Sequence, residues 1–309
     1  MKKVFWIDGG AGRAIAAIPA LKKYARLHPD EDWAVLVAAW DFLYWGIPEL
    51  QDRAYGIDTK GVFDNVVKDA DQLITPEPYR LPAYFRQEIS LVQAFDREIN
   101  NTTDHSDLNV PDMVFNKSEM TVAQNTIADL KNIQKRQKTV IFQPFGRGAK
   151  KDRETVVDEE SRSLSQKDYL FLVKKLAARY NMIFFGEPDF QLQQDTFAQK
   201  YTCDLRQWAA LIKEADYFIG VDSVGQHMAR AVGTPGTIIF GSTFPVNTSY
   251  PDYFQILENS KAKKYSPIRI TGLDVMLANR LNENTISYSD VELNELYNKI
   301  VADIEKKVK

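Results

Sequence analysis

The chain has 309 residues, 44% hydrophobic and 26% charged, with a formal net charge of −3 and one cysteine. That length holds one large core or two domains of about 150 residues, and excludes a peptide or a wholly disordered chain. Glycine (15) and proline (13) are too few for a low-complexity chain. No apolar run approaches the roughly 18 residues of a membrane span, and the small net charge gives no global pull on nucleic acid or anionic lipid. Cys203 has no internal disulfide partner and no Cys or His at metal-ligand spacing, so it reads as a structural thiol in a reducing, cytoplasmic compartment.

In chain order, residues 4–7 are an apolar run that reaches Asp8 after four residues, so the start reads as a first strand and not a signal peptide. A glycine turn (Gly9, Gly10, Gly12) leads into an alanine-rich helix over 14–27, in which Pro19 is expected to kink the helix or mark a shifted start. A second strand over 34–39 follows, and strand, helix, strand is the signature of a parallel sheet in an α/β fold. Residues 41–112 are dense in aromatics and prolines with weak periodicity, which predicts loops and short helices. A polar, helix-compatible stretch ends near Lys138, and a fresh strand begins at Thr139, so the domain boundary is expected at 137/138.

The second half alternates more clearly. Ser165 with Asp168 opens a helix, and a strand over 182–185 runs into Gly186-Glu187-Pro188-Asp189. Asp204 with Gln207 opens the next helix, which leads to a strand over 217–221. A helix over 223–232 should stop at Gly233 and Pro235, before a strand over 237–240 and Gly241-Ser242-Thr243. The apolar spacing of Val291, Leu293, Leu296, Ile300 and Ile304 predicts a C-terminal amphipathic helix over 290–309, packing across the domains.

Parallel sheets bind ligands outside the carboxyl ends of their strands, where loops and helix N-termini present backbone N–H groups. Ser223 opens a helix there, and His227 lies one turn on, so both can face one anion, His227 as a charge-assisted phosphate donor. Glu187 suits a ribose diol. Together these residues describe a cradle for a nucleoside diphosphate, against the plainer readings of Asp222 or Ser223 as a helix cap and His227 as a core imidazole. Of the basic clusters, 131–138 and 261–264 read as solvated faces.

These motifs resemble glycosyltransferase family 9, the heptosyltransferase-type enzymes of GT-B architecture, with two facing Rossmann-like domains and a cleft between them. The resemblance rests on Pro19-Ala20-Leu21, Gln143-Pro144-Phe145-Gly146 and Phe185-Gly186-Glu187-Pro188, and most strongly on 210–251, with Asp222-Ser223, His227-Met228-Ala229 and Phe240-Gly241-Ser242-Thr243-Phe244-Pro245. It implies an acceptor-binding domain over 1–137, a nucleotide-sugar domain over 138–289, and transfer with inversion from a nucleotide diphosphate sugar to a hydroxyl acceptor. No cofactor or metal is implied, and no Asp-x-Asp pair stands among the strand-end motifs. By position, the donor contacts would be Gly146, Glu187 (with Asp189 competing), Asp222, Ser223, Gly225, His227, Ser242 and Thr243. Lys150, Lys151 or Arg153 would neutralise phosphate. A glycan is the first choice of acceptor, with modified nucleobase, protein and small molecule open, and the aromatic segment 40–97 should decide it. Stable membrane insertion is not expected.

Two departures matter. Val224 separates Asp222-Ser223 from Gly225, and the family's acceptor-activating Asp falls here on Arg13. A guanidinium stays protonated and cannot be a base. Asp8 is then the nearest substitute, or merely caps its turn, while Arg13 would bind an anionic group of acceptor or donor. The competing readings are an inactive sugar-nucleotide-binding protein and, less well supported, a dinucleotide oxidoreductase, for which Ile15 stands where the fingerprint's third glycine belongs.

Overall fold

A computed structural model describes residues 1–153, 155–158, 160–186, 195–264 and 285–308. Among them the chain divides into two compact units, the first ending at Asn116 and the second beginning at Lys117. Each is an α/β unit around a parallel sheet, as expected.

In the first unit β1 (Lys3–Ile7), β2 (Trp33–Val37), β3 (Ala54–Gly56) and β4 (Gln72–Ile74) form a four-stranded sheet of order β3-β2-β1-β4, parallel throughout. Helix α1 (Ala11–Leu27) is buried along most of its length and runs unbroken through Pro19, starting three residues earlier than its alanine pattern suggests. The Tyr44 hydroxyl donates to the Ala14 carbonyl at 2.8 Å, in the stretch where the proline weakens the ladder. The segment expected to hold loops and short helices also contributes β3 and β4, whose three residues each are too few to show a period. It holds α2 (Pro82–Phe85) and α3 (Leu91–Asn100) as well, and Ser90 and Gln93 close a capping box on α3.

The second unit begins earlier than the expected 137/138. Helix α4 (Lys117–Gln134) belongs to it, because it buries Ala123, Ile127 and Leu130 there. Its Gln134 side chain accepts from Met182 N at 2.8 Å, and Glu119 pairs with Arg206 at 2.6 Å. The six strands β5 (Thr139–Gln143), β8 (Asn181–Phe184), β9 (Gln199–Lys200), β10 (Tyr217–Val221), β11 (Gly236–Phe240) and β12 (Gln255–Glu258) run parallel in the order β12-β11-β10-β5-β8-β9. A small antiparallel hairpin, β6 (Lys150–Asp152) and β7 (Thr155–Val157), stands apart from them.

The helices are α5 (Gln166–Ala177), α6 (Leu205–Glu214), α7 (Val224–Val232), α8 (Pro245–Thr248) and α9 (Asp290–Lys307). Gly233, at φ +80°, stops α7 as its sequence suggests. Helix α9, expected from its apolar stripe to pack across the domains, packs its stripe within the second unit. Leu293, Leu296, Ile300 and Ile304 complete the second unit's own core with Leu172, Val173 and Leu176 of α5. Among the described residues no helix is long and apolar enough to cross a membrane.

Candidate active site

The second unit's chain runs from β5 outward to β8 and β9, then returns to the other side of β5 as β10. The β5/β10 junction is therefore a topological switch point, where helix N-termini and loops diverge and leave room for a ligand. Three neighbouring strands deliver Gln143 (β5), Asp222-Ser223 (after β10) and Gly241-Ser242-Thr243 (after β11) to this edge.

Asp222 is buried and organises the edge. Its carboxylate accepts from Thr243 Oγ1 at 2.7 Å and Gln226 Nε2 at 2.9 Å, and Arg162 Nε lies 3.3 Å away. Ser223, the N-cap of α7, makes no side-chain cap and accepts instead from Gln143 Nε2 at 3.2 Å. The other end of that amide accepts from Gly225 N at 3.1 Å. A Cβ on Gly225 would sit 2.3 Å from Gln143 Oε1 and 2.5 Å from Phe218, so this glycine is required by packing. Gln143, which sequence reasoning left without a role, thus bridges Ser223 and Gly225 across Val224.

Several expected contacts are structural here. The Gly146 N–H is bound to Ser163 Oγ at 2.8 Å, and Ser242 holds the Glu160 and Ser161 carbonyls. Lys150 and Lys151 lie exposed on the β6 strand, and Arg153 forms the hairpin turn at φ +54°. The cation placed on Asp222 is Arg162, whose Nε and Nη2 also donate to the Asp222 carbonyl at 3.0 and 2.6 Å. Only its position three residues before the Ser165 cap of α5 could have hinted at it. Lys264, read as part of a solvated face, instead donates to the Thr243 carbonyl at 3.0 Å and pairs with Glu258. Glu187 and its competitor Asp189 lie outside the described residues.

His227 is 6% exposed, and its Nδ1 lies 2.9 Å from the Tyr250 hydroxyl. Burial pushes the imidazole down to about 4, with the Asp222 charge opposing the fall and Arg162 adding to it. Unliganded His227 is therefore neutral near pH 7 with one ring nitrogen protonated, and its Nδ1 contact with the Tyr250 hydroxyl fits either tautomer. This corrects the expected charge-assisted donor to a neutral one. The folded-state value lies below the ordinary 6.5, so the unfolded chain binds the extra proton between those limits. Stability is complete above pH 6.5 and falls toward pH 4, by about 3 kcal/mol at most. Denaturant melts of His227→Gln should show a flatter acid limb, and an unchanged limb would place the acid sensitivity elsewhere.

In the first unit, Asp8 follows β1 and its Oδ1 accepts from Gly9 N at 2.6 Å, the turn-capping contact. Arg13 is not presented to a ligand. It is 6% exposed, donating to Glu77 at 2.9 Å, to the Asp8 carbonyl at 2.9 Å and to the Pro76 carbonyl at 3.4 Å, with the Tyr79 ring 4.7 Å away.

The family model described as glycosyltransferase family 9 (heptosyltransferase) matches residues 201–265, which include Asp222, Ser223, His227 and Thr243. By sequence the chain has no significant match among curated proteins. Its fold is that of several solved structures. ADP-heptose LPS heptosyltransferase II of E. coli is 13% identical over 99% of both chains, with a TM-score of 0.67. The family 9 glycosyltransferase of Veillonella parvula DSM 2008 is 14% identical over 84% of this chain and 86% of that one, at 0.63. The iron-containing dodecameric glycosyltransferase TibC of enterotoxigenic E. coli H10407 is 11% identical over 99% and 78%, at 0.58. The chain is thus similar to the heptosyltransferase-type glycosyltransferases of family 9 in sequence over residues 201–265 and in fold over its length.

Proposed function

We propose that the protein transfers a sugar, with inversion and without a bound metal, from a nucleotide diphosphate sugar to an acceptor hydroxyl. The observation that carries this reading is the Asp222–Thr243–Arg162 network at the switch point, beside an α7 N-terminus that its own Ser223 leaves uncapped. The helix N-terminus supplies positive potential for a diphosphate, Arg162, held between Asp222 and Glu160, lies beside it with guanidinium N–H donors, and neutral His227 adds an uncharged polar group. The E. coli enzyme named for ADP-heptose supports an adenosine diphosphate sugar as the first donor to try.

In the reaction, the acceptor oxygen attacks the anomeric carbon on the face opposite the diphosphate. The bond from that carbon to the diphosphate oxygen breaks, the nucleoside diphosphate leaves with the electron pair, and Asp8 takes the acceptor proton. TibC is named as iron-containing, yet among the described residues no group of three or more His, Cys, Asp or Glu side chains could hold a metal. No other cofactor enters the scheme, and a cytoplasmic location suits the nucleotide donor.

Calorimetric titration with ADP and UDP tests the reading. Binding that is undiminished in EDTA is expected. Arg162→Ala should weaken it by about 1.5 to 3 kcal/mol, the range for a hydrogen bond to a charged group. Loss of binding and turnover in EDTA, restored by a divalent metal, would refute metal independence. Absence of any nucleoside diphosphate binding would refute the donor assignment.

A further inference from the structure

We propose that Tyr250 is a positioning residue of the donor site, holding the His227 imidazole so that its Nε2–H meets the bound diphosphate; this rests on the transferase reading above. His227 lies within electrostatic reach of Asp222 and Arg162, so it belongs to the edge where their network gathers. Its Nδ1 is 2.9 Å from the Tyr250 hydroxyl, and among the described residues Nε2 has no hydrogen-bond partner. Nε2 is the ring nitrogen left for a ligand.

Tyr250 is held by more than this contact. His227 and Arg230 stand three residues apart on α7 and so share a face, and both pack on the Tyr250 ring. The imidazole meets it edge-to-face with centroids 5.7 Å apart, and the Arg230 guanidinium lies 5.9 Å from its centre. Phe254 adds an edge-to-face contact at 6.1 Å. The Tyr250 carbonyl accepts from the N–H groups of Tyr253 and Phe254 at 2.9 Å each, and Pro251 biases the backbone of the residue before it toward extended conformations. Ring and backbone are thus fixed, and the hydroxyl keeps one freedom, rotation about its C–O bond.

That rotation is what the site needs. A neutral imidazole carries one N–H, and a hydroxyl can donate to Nδ1 or accept from it, so with no anion present either arrangement is satisfied. A diphosphate oxygen beside Nε2 only accepts hydrogen bonds. It is met by an Nε2–H and repelled by an Nε2 lone pair, and Nδ1 then becomes a buried acceptor that requires a donor. Burial pushes the Tyr250 phenol above its ordinary range, with the Arg230 charge opposing, so the hydroxyl stays protonated near pH 7 and has that hydrogen bond to give. A phenylalanine in its place would leave Nδ1 unpaired in the same tautomer.

Proton–nitrogen correlation NMR of the imidazoles in the full chain tests this, with ADP and UDP as the probes. The chain has three histidines, so His28→Gln and His105→Gln assign the His227 signals. At saturating nucleotide, His227 should show a protonated Nε2 and an unprotonated, hydrogen-bonded Nδ1. Tyr250→Phe removes the hydroxyl and keeps the ring. It should erase the hydrogen-bonded Nδ1 signature and weaken nucleotide binding about three- to tenfold, the range for one neutral hydrogen bond. A lower Tm with wild-type nucleotide affinity would make Tyr250 a packing residue only and overturn the proposal. So would a wild-type complex in which His227 Nδ1 carries a proton, a result that decides against it even where Tyr250→Phe fails to fold. Nucleotide bound with either of those results defeats the role of Tyr250 and leaves the transferase, whereas no binding of either nucleotide defeats the transferase.

Discussion

Asp8→Asn is expected to lower turnover about 10²- to 10⁴-fold while nucleotide binding stays near wild type, the loss typical of removing a general base. The substitution is nearly isosteric, and an asparagine Oδ1 can keep accepting from Gly9 N, the 2.6 Å bond that shapes the turn after β1. What disappears is the capacity to take a proton from the acceptor hydroxyl. Single-turnover kinetics on saturated donor complex read the effect directly. Full turnover in Asp8→Asn, with Arg13→Asp more active than wild type, would show that the base was never at Asp8 and that Arg13 marks an attenuated enzyme.

Arg13→Ala should destabilise the protein by about 3 to 5 kcal/mol, because it strands Glu77 as an uncompensated buried carboxylate. Both side chains are 6% exposed or less, their ion pair spans 2.9 Å, and the same guanidinium packs against Tyr79 and Phe95. The sequence alone suggests an anion-binding role and an effect on acceptor or donor KM. The structure instead predicts a lower Tm, recovered in large part by the double variant Arg13→Met, Glu77→Gln, which removes both charges of the pair. An unchanged Tm together with a raised KM would return Arg13 to the ligand.

How much of the site could be read in advance differs residue by residue. Asp222, Ser223 and Thr243 follow strands whose unbroken apolar runs and glycine stops mark a parallel sheet, and the carboxyl ends of such strands converge by geometry. Arg162 and Gln143 were missed as site groups because their roles depend on pairing with Asp222, Ser223 and Gly225 some sixty to eighty positions away. His227 was placed correctly in the cluster, but its charge follows from complete burial, which one turn of helical spacing does not reveal. Helix α4 was assigned to the wrong unit for a similar reason. Its polar sequence shows three buried positions, and only the contacts of Gln134 and Glu119 say against what they are buried.

Local pattern was enough to give the α/β class, the order of strands and helices through the second half, the capping residues of α5 and α6 and the stop of α7. Each of these depends on side-chain period, caps and glycines within a few positions of one another. Tertiary structure alone decided where the units divide, that α9 completes the core of the second, and that Arg13 belongs to Glu77 and not to a ligand. Those outcomes depend on partners distant in the chain and on which charges lose water when they meet, and no local pattern encodes the free energy of that meeting.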